Sequence, residues 1–290
     1  MTINLGGTFT FPGTELTVNR MGYGAMQLAG PHVFGPPKDR AAAIAVLREA
    51  VASGVNHIDT SDFYGPHVTN QIIHEALHPY PKSLVIVTKL GARRGDDGSW
   101  ILSRSREDLI AQAHDNLRNL GVEKLDIVNL RLGGMQEPEE GSIAEPLRAM
   151  IELKKQGVIE HIGLSTVNLD QVREAQTMTE IVCVQNFYNV ANRKDDAMID
   201  ELAKEGIAYV PYFPLGGFSP LQSSELNDVA TEIGATPMQV AQAWLLQRAK
   251  NVLLIPGTSS LGHLRENLAA AALELPAEMV ARLDAIGKQA

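Results

Sequence analysis

The sequence of 290 residues predicts an α/β fold, a closed (β/α)8 barrel of the TIM type that follows an N-terminal β-hairpin. Short runs rich in Val, Ile and Leu alternate with longer amphipathic segments, and eight such runs can be distinguished. The runs are continuously apolar, which is typical of strands buried on both faces of a parallel sheet. No change of composition divides the chain, so we expect one domain over residues 1–290, with a doubly wound open sheet as the alternative.

The order of the elements follows from these patterns. Residues 8–11 and 16–18 flank a Pro-Gly pair that suits a type II turn, which predicts the hairpin. The eight strands are expected to begin near Met21, Val55, Leu84, Leu125, His161, Ile181, Ile207 and Val252. Helices are predicted at 38–53, 70–77, 105–120, 143–156, 169–178, 195–205, 237–248, 261–271 and 276–288, several of them ending beside a glycine.

The composition argues against several classes of protein. The net charge is −9 without a Lys/Arg block, which disfavours nucleic acid or an anionic membrane as a partner. No segment reaches the roughly 20 apolar residues that cross a bilayer, and the N-terminus lacks the pattern of a secretory leader, so we expect a cytoplasmic protein. The single cysteine, Cys183, lies in an apolar run and is expected to be a buried, unreactive thiol. No sequence feature indicates an oligomeric state.

Polar residues at the C-terminal ends of the strands mark the place where such a barrel carries its active site. Asp59 and Tyr64 follow the second strand, Lys89 ends the third and Arg131 ends the fourth. An acid, a lysine and an arginine from three neighbouring strands would therefore project into one mouth. Taken singly, Lys89 could be a solvated loop charge, Asp59 a loop cap and Tyr64 a packed rim aromatic.

The segment after the eighth strand predicts an anion site. Residues 257–260, Gly-Thr-Ser-Ser, precede a predicted helix, and backbone amides at a helix start bind phosphate groups. His263, Arg265 and Asn267 lie in the first two turns of that helix, and His263 and Asn267 share a face. A capped surface helix is the alternative interpretation.

Several other sites lack their motifs. The eight histidines form neither His-x-His nor His-Glu-x-x-His, so no metal is expected. There is no Gly-x-Ser-x-Gly segment and no Walker loop, and residues 22–24, Gly-Tyr-Gly, lack the third glycine of a dinucleotide fingerprint.

Taken together, these segments resemble the aldo-keto reductase family over essentially the whole chain. The resemblance is carried by 54–65, Lys89, 163–165, Gln185, 188–189, 214–216, 255–258 and 266–267. Within the family, residues 24–30 and 34–37 are similar to the bacterial pyridoxal reductase-like branch.

The resemblance implies reversible hydride transfer between NADPH, with NADH not excluded, and a small aldehyde or ketone such as pyridoxal. Tyr64 would be the general acid, with Lys89 beside it and Asp59 paired with Lys89. The positions that would bind the cofactor are Gly24 and Met26 at the nicotinamide, Ser165 and Gln185 at its carboxamide, Tyr212 stacked on the ring, Leu215 and Gly217 along the pyrophosphate, and Thr258, His263, Glu266 and Asn267 at the adenosine end. A cofactor-binding regulatory or sensor protein with little turnover is the alternative function.

These residue types suit the reaction. A free tyrosine has a pKa of about 10, and a cation within a few ångströms lowers it, so Lys89 is expected to make Tyr64 more acidic. Arg131 stands where the family usually has a histidine; it could stabilise negative charge on the carbonyl oxygen or fill the mouth as a structural ion pair. Thr166 stands where the family often has an asparagine. His263 stands where the family often has an arginine that contacts the 2′-phosphate of NADPH, so this position bears on the preference for NADPH over NADH.

Overall fold

The computed structural model describes residues 4–134, 136–214 and 223–287. Its strands are, in chain order, β1 (Thr8–Thr10), β2 (Thr17–Asn19), β3 (Tyr23–Gly24), β4 (His57–Asp59), β5 (Val85–Leu90), β6 (Ala92–Arg94), β7 (Trp100–Leu102), β8 (Leu125–Arg131), β9 (Ile159–Ser165), β10 (Cys183–Phe187) and β11 (Ala208–Tyr212). Seven of them form one parallel sheet in the order β3-β4-β5-β8-β9-β10-β11. The other four form two antiparallel pairs, β1 with β2 and β6 with β7.

The eighth strand of the barrel is the stretch 252–254, which pairs with both edges of the seven-stranded sheet. Its central amide donates to the carbonyl of Tyr209 at 2.9 Å, and the amide of Leu254 donates to the carbonyl of Arg20 at 2.8 Å. The Arg20 side chain also donates to the carbonyl of Val252, across 232 positions of sequence. These bonds form a seam between the first and last strands, and they confirm the closed barrel over the open sheet.

The β1–β2 hairpin closes the N-terminal end of the barrel, as predicted. Phe11 and Val18 are almost fully buried and pack against the lumen side chains Val85 and Val87 of β5. Gly13 in the connecting turn has a positive φ of 66°, which a type II turn requires at its third residue.

Ten α-helices are described in these residues, and they surround the sheet. They are α1 (Arg40–Ala52), α2 (Val68–Leu77), α3 (Arg106–Leu120), α4 (Ala144–Lys155), α5 (Leu169–Gln176), α6 (Asp196–Lys204), α7 (Ser224–Glu232), α8 (Pro237–Arg248), α9 (Leu261–Ala269) and α10 (Ala277–Ile286). Their apolar faces pack on the outward side chains of the strands in one large core. None of the described helices is long and apolar enough to cross a membrane.

Two elements differ from the sequence prediction. Helix α7 lies between the predicted helices 195–205 and 237–248, where no helix was predicted, and its nine residues bury only Leu226, Val229 and Ala230. So short an apolar stripe gives a weak periodic signal. The segment 91–103, for which no element was predicted, contains the β6–β7 hairpin.

The alternation of side chains along each strand decides which residues reach the lumen. In β5, Val87 belongs to the lumen cluster, whereas Ile86 belongs to the outer core. Lys89, two residues beyond Val87, therefore shares the lumen face. The same alternation carries Ile127 and Arg131 of β8 to the lumen, so that Arg131 stands above the apolar layer at the mouth.

Candidate active site

A cavity of about 420 Å³ opens at the C-terminal ends of the barrel strands. Its lining includes Asp59, Tyr64 and Lys89, together with Phe63 and Trp100. Residues of α8 and α9 also line it. The cavity therefore joins a cluster of ionisable groups to the wall that these two helices form.

The centre of this cluster is a buried ion pair. Lys89 Nζ donates to Asp59 Oδ1 at 2.5 Å and to the carbonyl of Thr60 at 3.0 Å. The two side chains are 3 and 5% exposed. The second carboxylate oxygen of Asp59 accepts a hydrogen bond from Gln185 Nε2 at 2.7 Å, so both oxygens are satisfied. A fully hydrogen-bonded pair of this kind fixes the ammonium in position.

Tyr64 lies beside the ammonium, with its ring centroid 5.3 Å from Lys89 Nζ. Burial lowers and Asp59 raises the pKa of Lys89, and the net pKa is above the usual value, so Lys89 is charged. Burial raises the pKa of the Tyr64 phenol, and the Lys89 ammonium opposes this rise without cancelling it. Lys89 thus lowers the pKa of Tyr64, as expected, but desolvation of the phenolate is the larger effect, so the net pKa lies above that of free tyrosine.

The loop after β4 sets the position of Tyr64. The Tyr64 amide donates to the carbonyl of Ser61 at 3.1 Å, and the Tyr64 carbonyl accepts from the Thr69 amide in the first turn of α2. The Phe63 ring packs edge-on against the Tyr64 ring at 5.3 Å between centroids. These contacts tie the phenol to a rigid turn between a barrel strand and a helix.

Arg131 is partly exposed at the mouth and donates to the carbonyl of Gly134. Burial raises the pKa of the Tyr212 phenol, and Arg131 opposes the rise by its charge and a hydrogen bond. The Tyr212 hydroxyl also lies 3.3 Å from Thr166 Oγ1. Arg131 is thus held in the cavity wall by contacts on two sides.

The residues suggested for the cofactor fall into three groups. Those that line the cavity are Gly24, Met26, Gln185, Tyr212 and Asn267. Those that are described but do not line it are Ser165, Thr258, His263 and Glu266. Leu215 and Gly217 lie outside the described residues.

The second group has other contacts in this structure. Thr258 Oγ1 accepts from the amide of Ser260 at 3.0 Å, which shapes the loop before α9. Glu266 accepts from the hydroxyl of Thr236 at 2.6 Å. His263 is exposed in the first turn of α9. Arg265, two residues further on, donates to the carboxylate of Glu49 in α1.

One cavity residue was not singled out from the sequence. Gln242 of α8 is 1% exposed, lines the cavity and donates to Asn267 Oδ1 at 2.8 Å. Its own oxygen accepts a hydrogen bond from none of the described residues. Helix α8 contains three glutamines, and only Gln242 is among its buried residues, so the sequence alone gave little signal to identify it.

The described residues include one group whose ligand atoms could surround a metal ion, Asp62, His67 and Asp115. Asp62 already accepts hydrogen bonds from His67, Asn70 and Asn119. This group therefore has a structural role in holding the loop that carries Tyr64.

Comparison with known proteins gives concordant results. The sequence model described as the aldo/keto reductase family matches residues 20–288. The chain is 64% identical to pyridoxine 4-dehydrogenase of Escherichia coli (strain K12), over 97% of this chain and 99% of that protein. It is 37% identical to an uncharacterized oxidoreductase of Schizosaccharomyces pombe, over 94% of this chain and 88% of that protein.

Solved structures show the same fold. A thermostable aldo-keto reductase in complex with the inhibitor epalrestat superposes with a TM-score of 0.81 at 28% identity, covering 97% of this chain and all of that one. An aldo/keto reductase of Klebsiella pneumoniae in complex with NADP and acetate gives a TM-score of 0.76 at 22% identity, covering 96 and 94% of the two chains.

Proposed function

The chain belongs to the aldo/keto reductase family, and we propose that it interconverts pyridoxal and pyridoxine by hydride transfer with NADPH as the partner. The observation that carries this proposal is the cluster of Asp59, Lys89 and Tyr64 in the cavity, a buried charged pair beside a phenol. The similarity to the E. coli pyridoxine 4-dehydrogenase supports this choice of substrates.

The cavity fits a nicotinamide adenine dinucleotide. Its lining combines the apolar side chain of Met26 and the aromatic ring of Tyr212 with the buried amide groups of Gln242 and Asn267. The side-chain oxygen of Gln242 is buried and accepts a hydrogen bond from none of the described residues. Such an acceptor in the cavity wall suits a base with an exocyclic amine. The amides at the start of α9, with His263 beside them, suit the additional phosphate of NADPH.

In the reaction, the bound dinucleotide supplies the hydride that reduces the carbonyl carbon. The Tyr64 hydroxyl donates its proton to the carbonyl oxygen as negative charge develops there. The Lys89 ammonium stabilises the phenolate that remains, and Asp59 keeps Lys89 charged. In the reverse direction the Tyr64 phenolate removes the proton of the alcohol.

The substrate end of the cavity suits a planar ring with a negative group. Phe63 and Trp100 supply aromatic surfaces there, with ring centroids 5.8 Å apart. Arg131 supplies a fixed positive charge at the mouth. Pyridoxal has both features, since its phenolic oxygen ionises readily beside the aldehyde.

The test is turnover of pyridoxal with NADPH, followed by the loss of NADPH absorbance. Tyr64→Phe should abolish turnover and leave the Kd for NADPH, measured by fluorescence titration, nearly unchanged. Tyr80→Phe is the matched control, because the Tyr80 hydroxyl donates to the carbonyl of Leu120 away from the cavity. NADPH binding by the wild-type protein without turnover of any aldehyde would overturn the proposal in favour of a sensor.

A further inference from the structure

We propose that Arg94 is a positioning residue that holds the Trp100 ring as a wall of the substrate pocket. This wall selects planar ring aldehydes over aliphatic ones. The inference deepens the function proposed above and rests on it for the identity of the reaction, whereas the contact between the two side chains can be tested without turnover.

Arg94, at the end of β6, lies between two aromatic rings. Its guanidinium carbon is 3.9 Å from the centroid of the Trp100 ring and 5.3 Å from that of Phe34. The same guanidinium donates to the backbone carbonyls of Val33 and Gly98, at 2.6 Å each. A planar group fixed both by stacking and by hydrogen bonds has little freedom to move.

The environment of Arg94 is unusual for a charged side chain. The residue is 8% exposed, and burial lowers its pKa with no carboxylate of the described residues to offset the effect. A buried charge that is paired with carbonyls and aromatic rings but with no carboxylate costs stability. Such a cost indicates that the geometry serves a purpose, and a lysine could not reproduce the flat, forked contact.

Two routes connect this guanidinium to the catalytic phenol. The first is aromatic: Trp100 packs edge-on against Phe63 at 5.8 Å, and Phe63 packs edge-on against Tyr64 at 5.3 Å. The second is through the backbone, because the residue that follows Tyr64 donates its amide to the carbonyl of Val33 at 3.2 Å. Arg94 thus joins the β6–β7 hairpin to the turn that carries the proton donor.

This arrangement affects which substrates bind well. Trp100 borders the cavity, so a planar ring that enters the pocket can stack against it or meet it edge-on. An aliphatic aldehyde gains little from the orientation of an indole. Releasing the Trp100 ring should therefore weaken binding of pyridoxal much more than binding of propanal.

The first experiment measures the contact itself. The chain has two tryptophans, and Trp244 is 1% exposed with its indole N–H bound to Asp284 at 2.9 Å. In a Trp244→Phe background, Trp100 alone emits. Arg94→Met should increase quenching of this emission by acrylamide, whereas Arg93→Met, at the exposed neighbouring position of β6, should not.

The second experiment measures specificity in the full-length enzyme. Arg94→Met should raise KM for pyridoxal about 5- to 10-fold, the effect of one lost aromatic contact, with kcat nearly unchanged and KM for propanal unaffected. Arg94→Lys keeps the charge and should show the same trend, so it carries the test if the methionine variant does not fold.

The outcomes separate the two levels of the argument. Unchanged quenching of Trp100 in both Arg94 variants, or an equal rise of KM for both aldehydes, would overturn the inference. A wild-type protein inactive on both aldehydes would overturn the proposed function and the specificity role. In that case the quenching data would still decide whether Arg94 holds Trp100.

Discussion

Replacing Asp59 by asparagine removes the carboxylate that faces the Lys89 ammonium while it keeps the size of the side chain. The two charged atoms are 2.5 Å apart. At an effective dielectric constant of about 20, Coulomb's law gives an attraction of about 7 kcal/mol at this distance. Breaking buried pairs of this kind costs about 3–5 kcal/mol in practice. We therefore expect the free energy of unfolding of Asp59→Asn to fall by about 3–5 kcal/mol near neutral pH.

The dependence of this loss on pH identifies its origin. In the wild-type protein burial is the largest single effect on Lys89, but Asp59 and Tyr64 together outweigh it and raise the pKa, so the stabilisation is present below the unfolded pKa and is lost as pH rises through the folded pKa. In the variant, burial is opposed by Tyr64 alone, and we expect it to lower the pKa of Lys89 below its unfolded value. The unfolded variant then binds more protons than the folded one, and its stability rises with pH.

The assay is urea unfolding followed by circular dichroism at two pH values. One proton contributes at most about 1.4 kcal/mol per pH unit, so the loss should shrink by up to about 3 kcal/mol between neutral pH and about pH 9.5. Asp126→Asn is the control, because that carboxylate accepts from the amide of Ile86 at 2.9 Å and forms no ion pair with the described residues. A loss in Asp59→Asn that is the same at both pH values would refute the reasoning.

Three further predictions concern the site. Burial raises the pKa of Tyr64, so kcat/KM for oxidation of pyridoxine should rise with pH, because the phenolate is the form that removes the proton. For the same reason kcat/KM for reduction of pyridoxal should fall as pH passes through that pKa. A flat oxidation profile would contradict the role of the phenol. Thr166 has a positive φ of 59°, which is unfavourable for a β-branched residue and more easily adopted by asparagine. Thr166→Asn should therefore raise the free energy of unfolding, measured in urea, by about 1 kcal/mol. A loss of stability would show that the contact between the Thr166 and Tyr212 hydroxyls matters more. Arg131→His should lower kcat/KM for pyridoxal relative to benzaldehyde while changing the melting temperature by only a few degrees; a large drop in melting temperature would make Arg131 structural instead.

Much of the barrel could be predicted from the sequence because buried parallel strands have a strong and simple signature. The runs that begin near Leu125 and Ile207 coincide with β8 and β11 to within a residue. The placement of Lys89 at the mouth follows from the same patterns, since strand alternation and the position of the strand end fix its direction.

The remainder depends on distances that no sequence pattern encodes. The stacking of Arg94 on Trp100 joins residues on two short strands of a polar segment, where the sequence resembles an ordinary solvated loop. The pKa of Tyr64 depends on how completely water is excluded from its hydroxyl, because burial raises this pKa and Lys89 lowers it. The burial of one side chain depends on the whole surrounding structure. The bond from Gln185 to Asp59 spans 126 positions and becomes visible only once the barrel is closed.

The seam at 252–254 also determines when the molecule can fold. It joins positions more than two hundred residues apart, and contacts at such separations form late. Without this last strand the seven-stranded sheet would have two unpaired edges. The cylinder therefore cannot close until residues 252–254 have been synthesised, and until then the open edges are exposed to pairing with other chains.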